Sequence, residues 1–161
     1  MAKEIERKFL VADVSVLDGR RGFSIVQGYL AKESMSVRVR TFGHQAFLTL
    51  KGPTCGISRD EFEYPIPFED ALALLESYCV TKIIRKKRYL IPHDDLVFEV
   101  DVFEGKLAGL IIAEVELACE TQPVNLPPWI GREVTGDSRF GNFSLARVDA
   151  PPLFQPARSP S

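Results

Sequence analysis

The sequence has little of what nucleophilic or zinc enzymes depend on. Histidine occurs twice, and His44 and His93 both fall in turn segments, so surface or structural roles are expected for them and a histidine base is not. Cysteine occurs three times, at Cys55, Cys79 and Cys119, an odd and widely spaced set that forms neither a disulfide framework nor a zinc pattern. Cys55 is followed by Gly56 in a loop and has no partner base, which argues against a thiol nucleophile. No apolar run approaches the roughly 20 residues that a membrane-spanning helix requires. With charge starting at Lys3, the expectation is a soluble cytoplasmic protein with no membrane association. Neither sign of charge dominates: 20 Lys and Arg stand against 22 Asp and Glu, a formal net charge of −2. A global basic field that would steer the chain onto nucleic acid is therefore excluded, and any anion site must be local. Lys51-Gly52-Pro53 lacks the glycine spacing of a phosphate-cradling loop and reads as a strand end plus a turn.

What the sequence does have is apolar content, 45% of 161 residues, ample for one hydrophobic core. That content is arranged with period two. KEIERKFL, IVQGYLA, SVRVRTF, AFLTLK, DEFEYPI, IIRKKRYLI, LVFEVDVF and GLIIAEVEL each read as a strand, giving eight. Turn signals at Phe42-Gly43-His44, Lys51-Gly52-Pro53 and Pro92-His93-Asp94-Asp95 favour antiparallel hairpins over crossovers. One segment follows helical spacing instead. PFEDALALLESYC, from Pro67 to Cys79, opens with proline, carries Glu69 and Asp70 in its first turn and aligns Leu72, Leu75 and Cys79 on one stripe. A second short helix is expected between Asp137 and Val148, weakened by Gly141. Residues 1–148 read as a single domain, and the proline-rich 149–161 as a disordered tail.

The charges share a parity. Glu4, Glu6 and Lys8 alternate with Ile5 and Phe9 at the two ends of the run, and Arg7 falls on the outer side. The same parity collects Arg38 and Arg40, Lys51, Arg59, Glu61 and Glu63, Lys86 and Arg88, Glu99 and Asp101, and Glu114 and Glu116. The intervening positions are largely apolar, among them Val37, Val39, Phe62, Val100, Val102 and Val115. A single wet sheet face would explain any one strand. Seven such strands are harder to explain that way, because Glu-x-Glu and Arg-x-Arg pairs repel along a strand, a cost a merely soluble surface avoids. Eight strands closed into a barrel with these faces inward would form a charged lumen, mainly β, wide enough for water, a cation and an elongated ligand. Carboxylates without histidine suit hard divalent cations such as Mg²⁺ or Mn²⁺, and guanidinium and ammonium groups suit phosphate oxygens. Leaving Arg59 aside, eight acids and six bases give the lumen a net charge of −2, which two divalent cations would turn to +2, complementary to a polyphosphate.

EIERK resembles the ExExK signature of the CYTH superfamily, the triphosphate tunnel metalloenzymes, and SVRVRTF, FLTLKGP, GISRDEFEYPIP, RKKRYLI, FEVDVFEG, GLIIAEVEL and WIGREVTGDSRFGNFSLA resemble its small bacterial members in order and spacing. The resemblance runs from about Glu4 to Ala146 and implies an eight-stranded antiparallel closed barrel with a few flanking helices. It implies a metal role for Glu4, Glu6, Glu61, Glu63, Glu114 and Glu116, with Glu99 and Asp101 as further candidates. Phosphate binding is implied for Lys8, Arg38, Arg40, Lys51, Lys86 and Arg88, to which Arg59 is added on parity. In Arg85-Lys86-Lys87-Arg88 both parities are basic, and the KxRY pattern of the family selects Lys86 and Arg88. The catalytic set is expected among Glu4, Glu6, Lys8, Glu61, Glu63 and Lys86.

The implied activity is metal-dependent hydrolysis of a triphosphate, most simply inorganic tripolyphosphate to pyrophosphate and phosphate, with water as nucleophile. Alternatives within the superfamily are an adenylate cyclase, a thiamine triphosphatase and a nucleoside or RNA triphosphatase. From another class comes a noncatalytic polyphosphate sensor, which would not call for eight acids. Eight apolar outer faces exceed what one helix covers, so either the region from Trp129 to Val148 packs over the barrel or two chains form a homodimer.

Overall fold

The computed structural model describes residues 3–152. Eight strands form a closed antiparallel ring: β1 (Lys3–Val11), β2 (Phe23–Lys32), β3 (Ser36–Phe42), β4 (Gln45–Lys51), β5 (Ser58–Pro65), β6 (Ile84–His93), β7 (Leu96–Phe103) and β8 (Ile111–Glu116). Around the ring the order is β1-β5-β4-β3-β2-β6-β7-β8, and β8 returns to β1. Two hairpins follow the expected turn chemistry. Gly43, at φ 58°, and Asp94, at φ 52°, supply the positive φ that two-residue loops demand between Phe42 and Gln45 and between His93 and Leu96.

A ninth strand, β9 (Ile130–Glu133), was not anticipated. Its four residues are too few to show a period. It joins β1 along the edge that β5 also uses: β5 takes Lys3 to Ile5, and β9 takes Phe9 and Val11. Between these two partners the wall is joined loosely, through Ile57 O accepting from Glu6 N and Thr135 Oγ1 accepting from Lys8 N.

The helix α1 (Phe68–Ser77) lies within the expected span and buries Ala71 and Leu75 against Val39 and Ala46 on the outside of β3 and β4. The second expected helix is broken. Gly141 adopts an extended conformation (φ −68°, ψ 143°), which separates a 3₁₀ turn at Ser138–Phe140 from the four-residue helix α2 (Asn142–Leu145). Both pieces drop into one end of the barrel, where Phe140, Leu145 and Ala146 pack with Tyr29, Ile84, Phe103 and Ile112. This plug packs on the lumen side of the strands, not over the apolar outer faces that the region from Trp129 to Val148 was expected to cover. Trp129 adds cover on the outside, edge-on to Phe98 at 5.5 Å. The expected tail at 149–161 lies mostly outside the described residues. Among the described residues no helix is long and apolar enough to cross a membrane.

The charged faces point inward. Arg38, Arg40, Lys51, Lys86, Arg88 and Asp101 are all buried, whereas Arg85 and Lys87 are exposed. Arg7 points outward and holds Glu133 through two hydrogen bonds of 2.7 and 3.1 Å. The alternation that began in EIERK is thus a division between lumen and outer layer.

Candidate functional site: a charged tunnel

The lumen encloses a cavity of about 340 Å³ lined by Glu4, Glu6, Arg38, Arg40, Lys51, Glu61, Glu63, Arg88, Glu99, Glu114 and Glu116. Phe42, Gln45 and Phe47 border one opening, and Asn142 closes the opposite side. Four of the expected residues stand off this lining. Lys8 reaches toward the plugged end, where its ammonium bonds Phe140 O at 3.2 Å and pairs with Glu114 at 3.4 Å. Lys86 and Asp101, each 1% exposed, face inward beneath Arg88 and the plug residue Asn142, and Arg59 sits beside Glu4, its Nε donating to Oε2 at 3.0 Å.

Strand register decides which charges are already neutralised. Lys51 follows Glu61 across the β4–β5 ladder and holds Glu4 at 2.9 Å and Glu61 at 3.2 Å. Burial alone would raise the Glu4 pKa, but Lys51 and Arg59 outweigh it and bring the carboxyl down from 4.5 to about 2. Arg88 clamps Asp101 with two hydrogen bonds of 2.7 and 2.9 Å and also pairs with Glu99. Lys86 meets the same Asp101 at 2.7 Å. Burial, with Arg88 and Arg40 close by, pushes the Lys86 ammonium down to about 7 against the pull of Asp101.

Two sets of groups remain uncompensated. On the acidic side, Glu6 lies directly across from Glu116, whereas Glu114 and Glu99, also directly across from each other, are held by Lys8 and Arg88. Burial, then Glu114 and Glu4, drive the Glu6 pKa well above the usual carboxylate range, and burial with Glu4, Glu61 and Glu99 raises Glu116. On the basic side, Arg38 and Arg40 share one face of β3, and among the described residues neither pairs with a carboxylate. Arg40 donates to the neutral Gln27 at 2.9 Å, and burial, with Arg38 and Arg88 beside it, pushes its guanidinium down to about 9. The Arg38 Nε is buried and, among the described residues, has no hydrogen-bond partner. Since β3 and β8 are four strands apart in either direction around the ring, these two walls face each other across the lumen.

Directly opposed carboxylates of this kind suit a hard divalent cation, which relieves their repulsion, and the unpartnered arginines suit an anion. Among the described residues no three acidic, imidazole or thiol side chains are gathered tightly enough to hold a metal ion as they stand. Lys51, Arg59, Lys8 and Arg88 hold several of the carboxylates apart from one another.

The pairing of Glu4 carries a pH dependence. Its folded pKa is depressed, so its contribution to stability is present above about 4.5 and is lost as pH falls toward about 2. Urea unfolding of Glu4→Gln should show a deficit of about 3 kcal/mol at pH 6 that narrows steadily below pH 4.5. A deficit constant down to pH 2.5 would contradict that pairing.

Sequence reasoning missed Gln27 and Asn142. Gln27 is fully buried, holds Arg40 and donates to Asn142 Oδ1 at 3.2 Å; Asn142 also accepts from Lys86 at 3.3 Å. The signal for Gln27 was a lone polar residue inside IVQGYLA. Asn142 had none, since it arrives from a distant C-terminal segment.

The fold and its lining define a closed β-tunnel with a charged lumen. The chain belongs to the CYTH family, the CYTH domain matching residues 2–147. It is 44% identical over 148 residues to an inorganic triphosphatase of Acetivibrio thermocellus, covering 91% of this chain and 95% of that protein. It is 40% identical over 150 residues to an inorganic triphosphatase of Nitrosomonas europaea, covering 89% and 96%. A crystal structure of an inorganic triphosphatase superimposes with a TM-score of 0.66 at 37% identity, covering 91% of this chain and 99% of that one.

Proposed function

We propose that this chain is a metal-dependent inorganic triphosphatase that cleaves tripolyphosphate to pyrophosphate and orthophosphate inside the tunnel. The observation that carries this reading is the pair of opposed walls: among the described residues, Arg38 and Arg40 on β3 lack a carboxylate partner, and Glu6 on β1 and Glu116 on β8 lack a basic one. The two relatives, both inorganic triphosphatases along nearly the whole chain, support the same chemistry.

Arg38 and Arg40 hold phosphate oxygens from one side, with Lys51 and Arg88 completing the cradle. Glu6, Glu114 and Glu116, with Glu61, Glu63 and Glu99 around them, hold Mg²⁺ or Mn²⁺; Glu4 and Asp101 reach a cation only by releasing the bases they now hold. When bound, the cation supplies charge neutralisation and lowers the pKa of a water molecule. The chain supplies alignment, and a tunnel glutamate is placed to accept the proton of the attacking water. Lys8 and Lys86 act at the plugged end of the lumen by holding Glu114 and Asp101 in place.

The test is product analysis. Tripolyphosphate with Mg²⁺ or Mn²⁺ should yield equal amounts of phosphate and pyrophosphate, and chelator should abolish both. Metal-dependent binding without turnover would identify a sensor instead; cyclic AMP from ATP would identify a cyclase.

A further inference from the structure

We propose that Gln27 and the plug residue Asn142 are positioning residues for Arg40, holding its guanidinium with neutral groups so that its whole charge stays available to phosphate. The inference deepens the proposed function and rests on it. Register places Gln27 of β2 directly across from Arg40 of β3. Gln27 is fully buried there, and its Oε1 accepts from the Arg40 Nε at 2.9 Å. Among the described residues this is the only hydrogen bond of that guanidinium, so its two terminal nitrogens stay uncommitted beside the cavity that Arg40 lines.

Arg88 is treated the opposite way. It lines the same cavity, but Asp101 takes its Nε and Nη2, and Glu99 its Nη1. A carboxylate at position 27 would commit Arg40 likewise, whereas an amide supports the side chain and leaves its charge in place. The plug fixes which end of that amide meets Arg40. The Lys86 ammonium can only donate, and it reaches Asn142 Oδ1 at 3.3 Å. That oxygen can only accept, so Gln27 turns its Nε2 toward it, at 3.2 Å, and its Oε1 toward Arg40, itself a donor only. Two donor-only cations, on β6 and β3, thus set both amides in one orientation. Asn142 reaches Arg40 through Gln27.

Calorimetry with Mg²⁺ and a non-hydrolysable tripolyphosphate analogue tests the role. Gln27→Glu should weaken the affinity about tenfold, because the new carboxylate takes the place of a phosphate oxygen. In turnover of tripolyphosphate the loss should fall on KM, with kcat changed by no more than about threefold. The unliganded variant should melt no lower than wild type, since burial and the neighbouring Arg38 and Arg88 disfavour the Arg40 charge that the carboxylate would offset. Gln27→Met, close in volume but without either hydrogen bond, should cost about fivefold in affinity. Asn142→Ala should cost nearly as much, and the double variant no more than Gln27→Met alone. Wild-type affinity in Gln27→Glu, a loss of affinity accompanied by a lower Tm, or additive losses in the double variant would overturn the positioning role and leave the hydrolase reading standing. A wild-type protein that binds the analogue but cleaves no tripolyphosphate would sink the hydrolase reading, while the affinities of the variants would still decide the role of Gln27.

Discussion

Glu6→Gln is expected to make the metal-free protein more stable and the enzyme at least about 100-fold slower. The two effects have one cause. Glu6 is buried beside Glu114 and Glu4 and lies across from Glu116, so its carboxylate form is disfavoured in the folded state without a cation. A group whose folded pKa is raised above its unfolded value costs stability once pH exceeds the unfolded value. The gain from Gln should therefore appear at pH 7 and vanish below about pH 4.5. Relief of about 1 kcal/mol would raise Tm by about 3 °C in a chain of 161 residues. Added Mn²⁺ should raise the Tm of wild type but much less that of the variant, because a ligand stabilises only the state that binds it. A variant that is destabilised without metal, or that keeps full activity, would show that Glu6 does not belong to a strained acidic wall.

Asp101→Asn should have the largest effect on folding. Asp101 is shared by Lys86 and Arg88, with all three side chains buried, so its removal strands Lys86 inside the barrel and leaves Arg88 with Glu99 alone. Breaking a buried ion pair by deleting one partner costs about 3–5 kcal/mol, roughly 10 °C or more in Tm at this size. Lys86→Met combined with Asp101→Asn should recover part of the loss, because one stranded charge has gone; groups in contact of this kind couple by about 0.5–3 kcal/mol. Thermal unfolding of the two single variants and the double closes the cycle. Additive losses would mean that Lys86 and Asp101 do not depend on each other.

These expectations separate what period-two patterning can reveal from what it cannot. Parity alone placed Glu4, Glu6 and Arg38 inside the barrel, because strand geometry sends alternate residues to opposite faces whatever the partners are; Lys86 and Arg88 needed the KxRY resemblance, since both parities of Arg85-Lys86-Lys87-Arg88 are basic. Parity could not distinguish Glu4 from Glu6. They sit two residues apart on one face, yet Glu4 meets Lys51 and Arg59 while Glu6 meets Glu116 and Glu114. That difference comes from the register of β1 against β5 and β8, strands more than 50 residues away in sequence. Likewise, the neighbouring acids Glu99 and Asp101 read alike, but only Asp101 is clamped from both sides by buried cations. The plug was legible only as a short helix between Asp137 and Val148, and the residue it sends into the lumen was not, for a different reason. Gly141 interrupts the helical signal, and Asn142 enters the site through its place in the fold, not through any pattern around it.

The central claim is that β3 receives the anion and β8 and β1 receive the cation across one lumen. Its most direct test is a crystal structure with Mn²⁺ and a non-hydrolysable triphosphate analogue, with manganese located by its anomalous scattering. The claim predicts manganese within coordinating distance of Glu6, Glu114 or Glu116, and a phosphate oxygen accepting from the Arg38 Nε, which has no partner among the described residues. Manganese bound outside the barrel, or an analogue that leaves Arg38 and Arg40 untouched, would contradict it.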